Sequence, residues 1–258
     1  MDLLISTLAA RPDFGDLVDD FPDPHIAPFL YQDAVSTSLF EQLQSTHPEF
    51  CLLAVEPHAP DIPVAKLVTM PFTWDRDPAR ELPAGGYDAV LLAAARDALA
   101  GRRGNVVSAL LAMVRPRLRG RGVSAQLLAA ARRNTARLGY PALVAPVRPT
   151  RKHEHPEVPM ERYAAWRRPD GLPADPWLRV HHRAGGRVVG IAPHSMTITG
   201  TLARWRGWTG LPFDSPGPVL VPGALVPVHC EPDRDVASYI EPNVWFYHDL
   251  QEVPIGPG

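Results

Sequence analysis

The residues best placed to do chemistry lie in the run Arg115-Pro116-Arg117-Leu118-Arg119-Gly120-Arg121-Gly122, where two glycines stand one residue apart among four arginines. Glycine has no Cβ, so Gly120 and Gly122 let the backbone come close to a bound group. A helix starting here would offer amides without intrahelical carbonyls and the positive end of a dipole, and an anion such as a phosphate satisfies both. A tight strand-to-helix connection with solvated arginines needs the same residues, and the turn alone leaves both readings open. Elsewhere, His181-His182 could move a proton, and His153-Glu154-His155 has the residue types of a metal site, a solvent loop or a substrate lining. His153 and His155 share one side of an extended chain, but no further ligand pattern accompanies them, and no metal is expected.

The elements that must position this turn are readable on both sides of it. Residues 106–114 form an apolar run, β-branched at its start, that reads as a buried central strand. Beyond the turn, Val123, Leu127, Ala131 and Leu138 recur at helical spacing, with Arg132, Arg133 and Arg137 for a wet face and Gly139 as the stop. Ahead of it lie a helix over 34–46 stopped by His47-Pro48, a strand over 51–55, a turn over 56–63 and a hairpin partner over 64–70. A proline- and glycine-rich loop over 71–86 then leads to a helix over 87–100. Residues 2–10 fit a strand or a short helix. Residues 143–147 are a further strand, which Pro146 places at an edge or where pairing breaks. Near the C-terminus, 220–229 and 238–248 read as strands joined across 231–235, and residues 252–258 as a frayed end. Arg204-Trp205-Arg206-Gly207-Trp208 suits a loop or short helix whose tryptophans cover the core or line a pocket.

Two antiparallel strands, a long strand, a glycine turn, a helix and another strand resemble the GCN5-related N-acetyltransferase (GNAT) family. Its signature is Gln or Arg, two residues, Gly, one residue, then Gly or Ala, and Arg117-Leu118-Arg119-Gly120-Arg121-Gly122 matches it. The resemblance implies an α/β (α+β) fold: a mixed, mostly antiparallel, splayed central sheet flanked by helices. It implies one domain over 1–258, with an insertion at 148–174 after the fifth strand and an irregular insertion at 193–218 before the C-terminal hairpin. It also implies acetyl-CoA or another acyl-CoA as cofactor. Arg117, Leu118, Arg119, Gly120, Arg121, Gly122 and Val123 would hold the coenzyme pyrophosphate, while Ala112, Met113 and Val114 would pair with the pantetheine arm. His181 stands where the family often carries the tyrosine that reprotonates the departing thiolate, and a histidine of ordinary pKa about 6.5 could donate that proton. Gly186 replaces the usual aromatic. The insertion is similar to that of a longer-insert subgroup, including members fused to carbon-nitrogen hydrolases, in which a segment like Arg162-Tyr163-Ala164-Ala165-Trp166 precedes Asp175-Pro176. No hydrolase domain follows in this sequence. Tyr163 is the second acid candidate. Family members often keep their base on the fourth or fifth strand, but residues 106–114 carry only Ser108, which leaves Glu161, His155 and Asp33.

The expected function is therefore acyl-CoA-dependent transfer to an amine of a small molecule. A non-catalytic acyl-CoA-binding module, and a thioester decarboxylase or carrier-protein acyltransferase on the same fold, are the alternatives. Composition agrees with a globular protein at 45% hydrophobic and 21% charged residues, and its 30 prolines argue for many rigid loops rather than a helical bundle. A net charge of -2 argues against general nucleic-acid affinity. Asp16, Asp19, Asp20 and Asp23 give the N-terminal stretch an acidic character that suits a cationic amine. Cys51 and Cys230 are too few for a disulfide framework, and no signal pattern or spanning apolar run is present. The expectation is a cytoplasmic protein without membrane or nucleic-acid partners, with a homodimer left open.

Overall fold

The computed structural model describes residues 2–17 and 26–251; Asp19, Asp20 and Asp23, and the C-terminal residues after Gln251, lie outside them. Along the chain run β1 (Leu4–Thr7), α1 (Ala34–Thr46), β2 (Cys51–Glu56), β3 (Ala59–Phe72), α2 (Gly86–Leu99), β4 (Val106–Val114) and α3 (Val123–Arg137). There follow β5 (Ala142–Val147), α4 (Met160–Ala164), α5 (Pro176–Arg183), β6 (Arg187–Gly200), α6 (Leu202–Thr209), β7 (Gly217–Val219), β8 (Val228–Glu231) and β9 (Val236–Asp249). The strands make one sheet in the order β1-β2-β3-β4-β5-β9-β8-β7, with β6 also on β9. Among the described residues, only β4 and β5 pair in parallel.

Helices cover both faces. Leu43 of α1 and Val90 and Leu91 of α2 pack on Met70, Phe72 and Trp245. On the opposite side, Val123, Leu127, Leu128 and Ala131 of α3 bury against Leu52, Leu67, Val107 and Leu143. Tyr163 and Leu178, from α4 and α5, close the core over Val147 and Phe246.

The sheet opens at its centre. β4 meets β5 only at Val107↔Leu143 and Ser108↔Val144. Leu110 is an extra residue of β4, standing between the partners of Thr69 and Val68, and such a bulge bends and twists its strand. From Ala109 to Val114 the β5-facing edge of β4 has no strand partner among the described residues. Pro146 sits where that pairing has already ended, while β9 flanks β5 along its whole length.

Some expectations need correcting. β3 begins at Ala59 rather than Val64, because register shifts around Val55 accommodate Pro60 and Pro63. Residues 220–227 are not strand, since Pro222, Gly223 and Pro227 interrupt the ladder, which resumes at Val228. Residues 193–218 are largely regular: β6 continues to Gly200 by pairing with β9, and Thr201 caps α6 by accepting a bond from the Arg204 amide at 3.3 Å. Trp205 lies in the core and donates to the Ala237 carbonyl at 2.8 Å. Residues 4–7 are a strand, paired with β2.

Candidate active site

The open edge of β4 leads into the glycine turn. Leu118 is buried against Val123 and Leu127 and anchors the turn from below. Gly120 and Gly122 adopt φ of 74° and 78°, the left-handed region in which a Cβ is strained. A Cβ on either would meet nothing within 4 Å, so space is open on the outer side of both. No side chain caps α3 at Gly122, and its first turn has no acidic residue. The first α3 amide to bond back is Gln126, to the Gly122 carbonyl at 3.2 Å; those of Val123, Ser124 and Ala125 have no carbonyl within the helix. These amides, behind two residues without Cβ, fit a diphosphate.

The arginines divide their work. Arg117 pairs with Glu56, whose carboxyl this hydrogen bond holds below its usual range. Arg115 ties the end of β4 to β3 through its amide on the Val64 carbonyl at 2.9 Å and its Nε on the Pro63 carbonyl at 2.8 Å. Arg119 and Arg121 lie at the surface of the turn. Ala112 is exposed, and Met113 and Val114 are half-buried.

The two expected proton donors lie in the interior. His181 is 1% exposed, with Trp177 edge-on at 4.5 Å and Nδ1 3.0 Å from Nε2 of His248 on β9. Burial and His248 push its pKa well down, and burial together with Arg132 brings His248 to about 4. The Gly186 substitution for an aromatic is explained here: a Cβ on that residue would come 2.5 Å from His248 Cε1 and 2.9 Å from the His181 carbonyl oxygen. Tyr163 donates to Asp175 Oδ2 at 2.9 Å. Asp175 also caps α5, its Oδ1 accepting from the Trp177 and Leu178 amides at 2.9 and 3.1 Å, and it accepts from the Arg151 amide at 2.9 Å.

Of the residues considered as bases, His155 stacks edge-on against Trp166 at 4.9 Å and Glu161 is exposed on α4. Asp33 belongs to a different neighbourhood. Its Oδ2 caps α1, accepting from the Ser36 amide at 2.6 Å, and its carboxyl lies within hydrogen-bonding reach of Asp88 in α2. Asp88 accepts from the Thr197 amide at 3.2 Å, and burial plus Asp33 push it up to about 7. Beside them, Glu241 accepts from Arg148 Nε at 2.9 Å, the Tyr239 hydroxyl at 2.7 Å and Asn243 at 3.0 Å.

Lys152 is enclosed in the insertion and donates to the carbonyls of His155, Pro156 and Leu225 at 2.9, 3.4 and 2.5 Å; burial lowers it to about 8. A cavity of 260 Å³ beside His47, Arg103 and Tyr140 lies at the far end of β4, away from the turn. Sequence reasoning missed Asp88, His248 and the Arg148–Glu241 pair, because each acquires its partner from a distant segment, and missed the enclosure of Lys152, which the Leu225 carbonyl completes from afar.

A splayed mixed sheet with a glycine turn at its open strand defines the GNAT class of acyltransferase. No protein-family profile matches the sequence. Over 193 residues, 67% of either chain, it is 39% identical to arginine N-acetyltransferase avaD of Aspergillus versicolor. The loading GNATL domain of CurA from Lyngbya majuscula superposes with a TM-score of 0.58 at 15% identity, covering 97% of this chain and 98% of that one. The GphF GNAT-like decarboxylase in complex with isobutyryl-CoA gives 0.52 at 20% identity, with 96% and 100% covered. The two structures share the fold; the chain belongs to the GCN5-related N-acetyltransferase family and is an acyltransferase.

Proposed function

We propose that the protein transfers the acetyl group of acetyl-CoA to an amine of L-arginine or a closely similar cationic small molecule. The observation that carries the donor half is the uncapped start of α3 behind Gly120 and Gly122, directly after the unpaired edge of β4. The acceptor half is supported by the relative that is 39% identical over 193 residues and is named an arginine N-acetyltransferase.

Coenzyme A supplies the activated thioester when bound. Leu118, Arg119, Gly120, Arg121, Gly122 and Val123 would hold its pyrophosphate on backbone amides, with Arg117 shaping the turn through Glu56. Ala112, Met113 and Val114 would hold the pantetheine arm by strand-like bonds along the open edge of β4. Fixing the thioester in this way turns a bimolecular encounter into a local one. As the amide C–N bond forms, the C–S bond breaks; the amine loses a proton and the thiolate gains one. In this reading the neutral, enclosed His181 secures α5 to β9 rather than serving as the proton donor the resemblance implied, and Tyr163, the second acid candidate, secures the Asp175 cap.

Thiol release on mixing the protein with acetyl-CoA and L-arginine tests the proposal. Release that requires arginine and matches the acetylated product is expected. Failure to bind acetyl-CoA, or turnover of malonyl-CoA to carbon dioxide without any acyl transfer to amines, would overturn it.

A further inference from the structure

We infer that the cavity between the C-terminal ends of α1 and α3 is a second ligand site, for a small amphoteric molecule with a carboxylate at one end and a guanidinium or amine at the other. It is separate from the donor site. The cavity lies before the start of β4 and the glycine turn after its end, about 30 Å apart for a strand of this length. Its volume of 260 Å³ falls a little below that of pockets for drug-sized ligands and suits something smaller. The floor is aromatic and apolar: Phe50 and Tyr140 are buried and meet edge-on at 5.9 Å, with Pro71 and Leu138 beside them.

The lining also carries one full charge of each sign, Arg103 and Glu49, and no ion pair joins them among the described residues. Both act on Tyr140. The Arg103 guanidinium lies over its ring at 4.7 Å, and burial raises the Tyr140 hydroxyl, with Arg103 opposing and Glu49 adding to the rise. Each charge is held in place by its backbone or one bond. The Tyr140 hydroxyl donates to the Arg103 carbonyl at 3.1 Å, and Arg103 Nη2 donates to the Leu138 carbonyl, which leaves Nε and Nη1 without a protein partner. Asn134 donates to the Glu49 carbonyl at 2.8 Å, while the Glu49 carboxylate has no partner. A ligand carboxylate meets the open donors of the guanidinium, whose planar fork matches it. A ligand cation meets Glu49, the negative ends of two helix dipoles and the aromatic floor. A simple anion would face Glu49 and those helix ends, and a simple cation would face Arg103, so a molecule with both charges fits best. Because the two side chains do not close on each other, its charges need a short aliphatic spacer, which the apolar floor would cover.

Calorimetry on the full chain with 4-guanidinobutanoate provides the test, with 1-butylguanidine and butanoate as probes that each lack one charge. Wild type should bind 4-guanidinobutanoate about tenfold more tightly than either control, and Glu49→Gln and Arg103→Gln should each weaken it about tenfold. Glu49→Gln removes a charge that no protein group uses, so its melting temperature should hold; it decides alone if Arg103→Gln disturbs the end of α3. No binding of 4-guanidinobutanoate by wild type, or equal binding of the singly charged controls, would overturn the site. Binding unchanged in Glu49→Gln would also overturn it, since the molecule would then sit elsewhere, the acceptor site included. None of these outcomes depends on whether the protein acetylates arginine.

Discussion

Replacing His248 with asparagine should flatten one component of the protein's acid sensitivity. His248 is wholly enclosed, its Nδ1 has no hydrogen-bond partner, and its Nε2 faces His181 at 3.0 Å. A second proton on the pair has no carboxylate to meet and would add to the field of Arg132. In the unfolded chain a histidine takes up a proton near its ordinary value of about 6.5, whereas the folded His248 resists until about 4. Between those values the unfolded state binds more protons, so this group lowers stability as pH falls and contributes nothing above the upper value. A shift of that size corresponds to a loss of about 2 kcal/mol by about pH 5 and about 3 kcal/mol by about pH 4. His181, pushed down in the same direction, adds to it. Asp88 opposes them: raised to about 7, its carboxyl makes the folded state the greater proton binder, so it favours folding as pH falls toward the ordinary carboxylate range. The informative quantity is thus the difference between proteins in which Asp88 is unchanged. Urea denaturation of wild type and His248→Asn at pH about 7 and about 5 should show wild type losing about 2 kcal/mol more than the variant over that interval. Parallel pH profiles would refute the argument that the buried histidine pair is held neutral.

Gly122→Ala should raise the KM for acetyl-CoA by about tenfold and cost about 1 kcal/mol of stability, because alanine is strained at this φ although its Cβ meets nothing in the protein; steady-state kinetics and a denaturation curve check the two effects. Asp175→Ala should destabilise by about 3 kcal/mol, since it removes the α5 cap and strands the Tyr163 hydroxyl and the Arg151 amide, and urea denaturation checks it.

The strand, turn and helix around the candidate donor site were legible in the sequence because their signals are local. The apolar run of β4, the two glycines and the period of α3 follow one another, and the observed bounds of β4 coincide with those expected. The interior of α5 was not legible. Whether His181 faces a cleft or the core depends on β9, whose strand crosses it from the far end of the chain with His248 in position and with Gly186 leaving room for that ring. Reading β9 as half of a closing hairpin hid this, because pairing with β5, β6 and β8 at once is set by topology, not by the strand's own residues. Asp33 stood among the candidate bases, but its burial beside Asp88 arises only from the packing of α2 against α1. Prolines misled in both directions: Pro60 and Pro63 were absorbed at bulges in β3, while Pro222 and Pro227 did break the ladder.

Mass analysis of L-arginine after incubation with the protein and acetyl-CoA tests the central claim most directly. The account predicts N-acetylarginine formed in step with free coenzyme A thiol. Arginine recovered unmodified while acetyl-CoA is bound but not consumed, across arginine and related cationic amines, would contradict it.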